Sequence, residues 1–250
     1  GLGYSVAKFT LGKSAQFVNR GKYADAGNID GLSCPVGGQE VMTKIAGLLG
    51  MEAGDSAPKV AVVRCNGCPE YRPRIAEYDG LRSCAAVNSV GSGETACGYG
   101  CLGCGDCVSA CNFGAITIDP DLGLPVVNED LCTSCGACVK ACPRNIIELR
   151  YKGRVIKGQP HRVYVSCVNK DKGPVANKVC KVSCIACGKC QKVCKFEAIS
   201  VENNVAYIDM EKCKACGLCV RECPKNAIHA TLELPALKPK ETSAEETTNV

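Results

Sequence analysis

Cys101-Leu102-Gly103-Cys104-Gly105-Asp106-Cys107-Val108-Ser109-Ala110-Cys111 decides how this chain is read. Two residues separate the first three cysteines, and three separate the third from the fourth. The run returns as Cys132, Cys135, Cys138, Cys142, then as Cys184, Cys187, Cys190, Cys194, and finally as Cys213, Cys216, Cys219, Cys223. A loop with this spacing offers three thiolates to three corners of a cubane and leaves the fourth corner to a thiolate from elsewhere. Disulfides fit badly, because 23 cysteines is an odd number and the short gaps would strain any bridge between neighbours. Zinc sites separate two Cys-x2-Cys pairs by a longer spacer and do not need three thiolates in register. The pattern is that of [4Fe-4S] clusters, at least four of them.

In two-cluster ferredoxins the fourth cysteine of each run ligates the other cluster. Site 1 is therefore assigned to Cys101, Cys104, Cys107 and Cys142, and site 2 to Cys132, Cys135, Cys138 and Cys111. Site 3 takes Cys184, Cys187, Cys190 and Cys223, and site 4 takes Cys213, Cys216, Cys219 and Cys194. Gly105, Gly136, Gly188 and Gly217 each follow the second cysteine, where backbone wrapped closely round a cluster suits a residue without a side chain. Pro143 and Pro224 follow the fourth cysteine in two runs, while Asn112 and Lys195 stand there in the others, a change to a turn rather than to a ligand.

The 250 residues include four Phe, eight Tyr and no Trp, so an ordinary aromatic-rich core is not on offer and folding should depend on metal. Thiolates free to bind iron imply a reducing compartment. The formal charge of +5 counts every Cys as neutral. Four oxidised clusters with their thiolates would shift it by about −8. The loaded protein is then mildly acidic, and nucleic-acid binding does not follow from the charge. No 18-residue apolar run marks a transmembrane helix, and no signal peptide is visible. A chain that begins with Gly rather than Met fits a trimmed or partial product.

The fold class is α+β: two tandem bacterial-type 2[4Fe-4S] ferredoxin-like modules behind a small helical N-terminal region. Residues 1–52 form that region, with one amphipathic stretch near the start and a better one over Gln39 to Leu49, where Val41, Ile45, Leu48 and Leu49 recur at helical spacing. A Gly, Ser and Pro-rich linker covers Glu52 to Pro58. A Cys-rich connecting segment spans 59–96, module 1 spans 97–150, module 2 spans 160–235, and residues 236–250 form a disordered tail. The modules are a duplication: Val60 to Val63 leads into Cys65 as Val163 to Val165 leads into Cys167, and each stretch is followed by Cys-x3-Cys-x2-Cys-x2-Cys-x3-Cys. Short strands are expected at Ala115 to Ile118, Ile146 to Leu149, Ala198 to Val201 and Val205 to Ile208, with one helical turn before each fourth cysteine.

Seven cysteines remain. Cys65, Cys68, Cys84 and Cys97 are enough for an additional metal site or stand as structural thiols, since their spacing matches no motif. Cys167 and Cys180 mirror Cys65 and Cys97 without a second pair, and Cys34 stands alone near the N-terminus. His161 and His229 lie in the wrong contexts for a Rieske centre and read as surface histidines. Gly91-Ser92-Gly93 lacks the rest of a dinucleotide fingerprint, no Walker-type loop appears, and no catalytic triad is visible. No separate catalytic site is expected.

From Arg150 to Lys195 basic residues outnumber the single acidic Asp171, whereas Ala96 to Cys142 is acidic apart from Lys140. A basic face on module 2 would steer and release an acidic redox partner, and free reduced ferredoxin, acidic and transient, suits that role.

With Cys34-Pro35-Val36-Gly37-Gly38 ahead of the helix at Gln39, Val63-Arg64-Cys65-Asn66-Gly67, Tyr78-Asp79-Gly80 with Cys84, and the paired four-Cys runs, the chain resembles the B subunit of the Rnf complex, a membrane-bound, ion-translocating ferredoxin:NAD oxidoreductase. The resemblance runs from Ile29 to about Pro235. It implies an electron-transfer subunit that takes electrons from reduced ferredoxin and passes them through [4Fe-4S] clusters to membrane subunits. It places the chain peripherally on the cytoplasmic face of the cell membrane, with the family's anchor helix not present in this sequence. The family's N-terminal four-iron domain ends in Cys-Pro-x-Gly-Gly; Cys34 matches its last ligand, but no Cys precedes it here. One or two further clusters would then join the four. The alternative is a soluble polyferredoxin serving a hydrogenase or another anaerobic reductase, and a third reading is a metal-dependent scaffold without redox duty.

Overall fold

The β-branched runs and the cysteine loops set the element order. The computed structural model describes residues 37–50, 58–156 and 158–231. Helix α1 (Gly38–Leu49) comes first, then β1 (Lys59–Val63), α2 (Cys84–Val90), α3 (Asp106–Ser109), β2 (Ile116–Ile118), β3 (Pro125–Val127), α4 (Ala137–Ala141) and β4 (Ile147–Tyr151). A hairpin of β5 (Arg154–Ile156) and β6 (Gln159–His161) follows. The second half contains β7 (Val163–Val165), α5 (Gly173–Val179), α6 (Lys189–Val193), β8 (Ile199–Glu202), β9 (Val205–Ile208), α7 (Leu218–Glu222) and β10 (Ile228–Ala230). The expected early helix, Cys34, nearly all of the linker and the tail lie outside the described residues.

Each unit closes by pairing its first strand with its last. Antiparallel β1 and β4 set Lys59 opposite Tyr151 and Val63 opposite Ile147, and β7 and β10 set Val163 opposite Ala230. Inside each frame sits a hairpin, β2 with β3 and β8 with β9. β1, which falls in the stretch read as a connector, is thus the closing strand of the first unit. It buries Val60, Ala61 and Val62 in succession, as a strand covered on both faces does.

The four short helices α3, α4, α6 and α7 begin at Gly105, Gly136, Gly188 and Gly217, whose φ values are +86°, +74°, +72° and +76°. No protein atom lies within 4 Å of a Cβ built on Gly105 or Gly188. The left-handed backbone at these positions by itself favours glycine. Just ahead of the second cysteine, Gly103, Ser134, Ala186 and Ala215 are left-handed as well. All four loops share one backbone course.

The two cores are built alike. Ile116, Ile146 and Ile147 pack with Cys101, Cys107 and Cys138 in the first unit, and Val165, Ile199 and Ile208 with Cys184, Cys190 and Cys219 in the second. Buried polar contacts join them. Arg64 Nε donates to Val165 O at 3.1 Å and its Nη2 to Cys167 O at 3.2 Å. The Tyr207 ring receives the Arg64 and Arg150 guanidiniums at 5.1 and 4.7 Å. Arg162 pairs with Glu129, and Lys181 N–H donates to Tyr71 O at 2.9 Å.

Three surface expectations change. His161 is buried, whereas His229 is solvent-facing and leans on the Tyr164 ring at 5.2 Å. Arg150 and Arg162, counted toward a basic face, are buried between the units. In α1, Met42 and Ala46 form the buried line with Val41 and Ile45 beside it, and Leu48 is 74% exposed. The helix ends at left-handed Gly50, whose N–H reaches Ala46 O and Gly47 O. Among the described residues, no helix is long and apolar enough to cross a membrane.

Candidate metal centres

The cysteine runs wrap so that each fourth cysteine reaches the other loop of its unit. Cys107 has Cys142 as an electrostatic neighbour, while Cys138 is surrounded by Cys132, Cys135 and Cys111. In the second unit Cys190 neighbours Cys184, Cys223 and Cys187, and Cys219 neighbours Cys213, Cys216 and Cys194. Cys107 also has Cys84 beside it, and Cys219 has Cys190. One cavity is lined by Cys184, Cys187, Cys190 and Cys223, and another by Cys101, Cys107 and Cys142 together with Cys84. Cys101 and Cys104 adjoin Cys84 too.

Burial, and then the crowding of neighbouring thiols, pushes the metal-free thiols up: Cys101, Cys167 and Cys219 to about 12, and Cys104, Cys107, Cys138 and Cys190 to about 11. Without metal these groups stay protonated at neutral pH; a bound iron centre takes up their thiolates outright. Among the described residues no group of three or more His, Cys, Asp or Glu is set to hold a single metal ion. Four gathered thiols are the donor set that a cubane takes.

The set Cys65, Cys68, Cys84 and Cys97 divides in the fold. Cys84 heads α2 beside Cys101, Cys104 and Cys107. The Asp106 carboxylate holds it there, accepting from Cys84 N–H at 2.9 Å, Ala85 N–H at 3.1 Å and Ser83 Oγ at 2.9 Å. Burial alone would raise Asp106; those hydrogen bonds outweigh it and leave the carboxyl below its ordinary value. Cys68 packs in the first core. Cys65 and Cys97 instead line a cavity with Cys167 and Cys180 of the second unit.

That shared cavity carries residues the sequence did not single out. Arg72, Asn169 and Ser183 are buried on its wall. Arg72 Nη2 donates to Cys101 O at 2.6 Å. A Cβ at Gly100 would collide with Arg72 Nη1, and one at Gly67 would stand 3.3 Å from Arg72 Nε and from Cys180 Sγ. Those glycines leave the room Arg72 fills. The repeat register, which sets Cys65 and Cys97 against Cys167 and Cys180, was the available signal; that the mirrored pairs converge was not readable from spacing.

Comparison with known proteins agrees with this chemistry. Residues 100–146 and 131–199 match 4Fe-4S dicluster domain families, and 206–229 match a 4Fe-4S binding domain family. The 131–199 match straddles the two units, and there the geometry is the better guide: Cys138 sits with Cys111, and Cys190 with Cys223. The chain is 46% identical over 201 residues, 80% of its own length, to the B subunit of the Na(+)-translocating ferredoxin:NAD(+) oxidoreductase complex of Acetobacterium woodii, and spans 58% of that relative. It is 43% identical to the B subunit of the ion-translocating oxidoreductase complex of Methanosarcina acetivorans, covering 78% of this chain and 71% of the relative. With the proton-translocating counterpart from Clostridium ljungdahlii it shares 41% identity over 72% of its length and 61% of the relative's. A chain with paired four-iron loops in two fused units, alike to these relatives over most of its length, belongs to the family of Rnf-type complex B subunits.

Proposed function

We propose that this chain is the electron-carrying part of an ion-translocating ferredoxin:NAD oxidoreductase complex, taking electrons from reduced ferredoxin and delivering them to membrane subunits through at least four [4Fe-4S] clusters. The observation that carries the reading is the crossing of the fourth cysteines, Cys142 to the first loop and Cys111 to the second, Cys223 to the third and Cys194 to the fourth. Each cluster, when bound, accepts and returns one electron. The protein's part is to hold sixteen thiolates in four cages, cover most of them at least partly, and leave an edge open for exchange. Cys135, Cys187 and Cys216 are the exposed thiols that supply such edges.

Lys170, Lys172 and Lys178 are exposed on the second unit around α5, so the basic face persists without Arg150 and Arg162. An acidic ferredoxin would be steered there and released again as salt rises. Its place on the cytoplasmic face of the membrane belongs to the same proposal.

The test has two parts. Anaerobically purified protein should contain at least about sixteen iron and matching acid-labile sulfide, and the reduced protein should give four-iron EPR signals; iron near zero sinks the reading. Stopped-flow reduction by ferredoxin at low salt should slow about tenfold or more in K170E/K172E/K178E and converge with wild type at high salt. Equal rates at low salt would remove the patch from the proposal.

A further inference from the structure

Cys65 and Cys97 belong to the first unit, Cys167 and Cys180 to the second, and all four line one cavity. Each pair is half a cage. Cys180 has Cys65 and Cys97 as electrostatic neighbours, and Cys167 has Cys65, so the thiols converge rather than merely border a common wall. Like the cavities at sites 1 and 3, this one is lined by four cysteines.

A second observation is independent of the cysteines. Arg72 is 7% exposed, yet its Nε and Nη1 have no hydrogen-bond partner, and Ser183 Oγ, in a residue 2% exposed, has none either. Leaving buried donors without partners is unfavourable, most of all for a charged group. Both residues line this cavity, as does Asn169, whose amide already points to Cys97 Sγ at 3.8 Å. Cys101 N–H likewise donates to Cys65 Sγ at 3.4 Å. Donors gathered on a cysteine cage, one of them cationic, are what sulfide and thiolate sulfurs of a negatively charged iron–sulfur centre would use.

We infer that Cys65, Cys97, Cys167 and Cys180 hold a fifth [4Fe-4S] cluster, shared by the two units, with Arg72, Asn169 and Ser183 as its hydrogen-bond donors. The inference rests on the cluster-carrier reading above. Loading converts four thiols to thiolates and releases four protons. Cys97 and Cys180 each precede the first cysteine of a run, Cys101 and Cys184, so the centre stands between sites 1 and 3 and offers a route from one module to the other. An electron arriving from a reduced four-iron cluster on one side oxidises that donor by one and leaves to the oxidised cluster on the other, with no bond formed or broken.

The test compares iron, sulfide and zinc content and EPR spin count of full-length protein purified without oxygen. Wild type should hold about four irons beyond the sixteen of the ferredoxin runs. C167A/C180A should lose those four and one spin system, and C68A should lose none. Wild type near sixteen overturns the fifth site and leaves the four-cluster reading standing, whereas iron near zero overturns both. Retention of iron by C167A/C180A, loss by C68A alone, or one zinc that disappears with C167A/C180A also overturns it. Because a double variant can misfold, R72M supplies an independent arm: iron unchanged, one cluster alone shifted to lower potential with altered g values, and partial recovery in R72K. Identical potentials and spectra in R72M and wild type would count against the site.

Discussion

Removing the Arg64 guanidinium should separate the two units energetically while leaving each intact. Its side chain is 10% exposed and crosses from the Cys65 loop to two backbone oxygens of the second unit, Val165 O and Cys167 O, at 3.1 and 3.2 Å. A buried hydrogen bond from a charged donor contributes about 1.5–3 kcal/mol, so the pair is worth about 3–6 kcal/mol. Stacking on Tyr207 adds about 0.5–1 kcal/mol. The Glu148 contact at 3.4 Å is partly exposed and adds at most about 1 kcal/mol. Water admitted to the space left by Arg64→Ala would satisfy the two carbonyls in part, which brings the expected loss to about 3–4 kcal/mol. At roughly 2–4 °C per kcal/mol for a chain of this size, the apparent midpoint should fall by about 10 °C. Cluster loss makes heating irreversible, so the comparison needs one scan rate, without oxygen, followed by both cluster absorbance and far-ultraviolet circular dichroism. R64K, which keeps the charge but not the fork, should fall about half as far. A shift under about 2 °C in R64A with unchanged iron would refute the claim that this side chain fastens the units.

Cross-ligation predicts a non-additive iron count: C111A/C132A should lose no more iron than C132A, since both strip site 2, whereas C111A/C101A should lose more than either single variant, and additivity in the first pair would break the assignment. Asp106→Ala should cost about 1 kcal/mol by uncapping α2, read as a lower thermal midpoint and faster proteolysis between Arg72 and Arg82, with iron at site 1 retained. Partial desolvation of the exposed His229 ring, then the Arg162 charge, lowers its pKa from the ordinary 6.5. The unfolded chain therefore binds the proton more readily, stability should fall as pH drops through about 6.5, and H229Q should flatten the difference in midpoint between pH 7.5 and 5.5. A parallel slope in H229Q would assign that pH dependence to other groups.

The sixteen run cysteines, the short helices ahead of each fourth cysteine and the strands at residues 116–118, 147–151, 199–202 and 205–208 were all legible because they depend on spacing within a loop or alternation within a strand. What escaped depends on partners far off in sequence. Val60 to Val63 reads as a strand repeated at Val163 to Val165, but nothing local says that Ile147 to Tyr151 will pair with it. Arg150 and Arg162 read as surface charge because a sequence does not show the Tyr207 ring or the Glu129 carboxylate that receives them. Proximity in the chain groups Cys84 with Cys65, whereas the Asp106 cap carries it to site 1.

The same distinction explains the signature Val63-Arg64-Cys65-Asn66-Gly67. Val63 ends the closing strand of the first unit, and Arg64 leaves it to bind the second. Cys65 faces the shared cavity, and Gly67 leaves room beside Cys180 and Arg72. A five-residue stretch thus meets four separate demands, none of them local. A tandem duplication gives two copies of a thiol pair, but a pair cannot enclose a cubane. The pairs are completed only when the units dock face to face, and the buried arginines that make the docking also orient the cage. Docking and cage assembly are therefore one structural event, and a change at Arg64 should be felt at Cys167, whose carbonyl it holds.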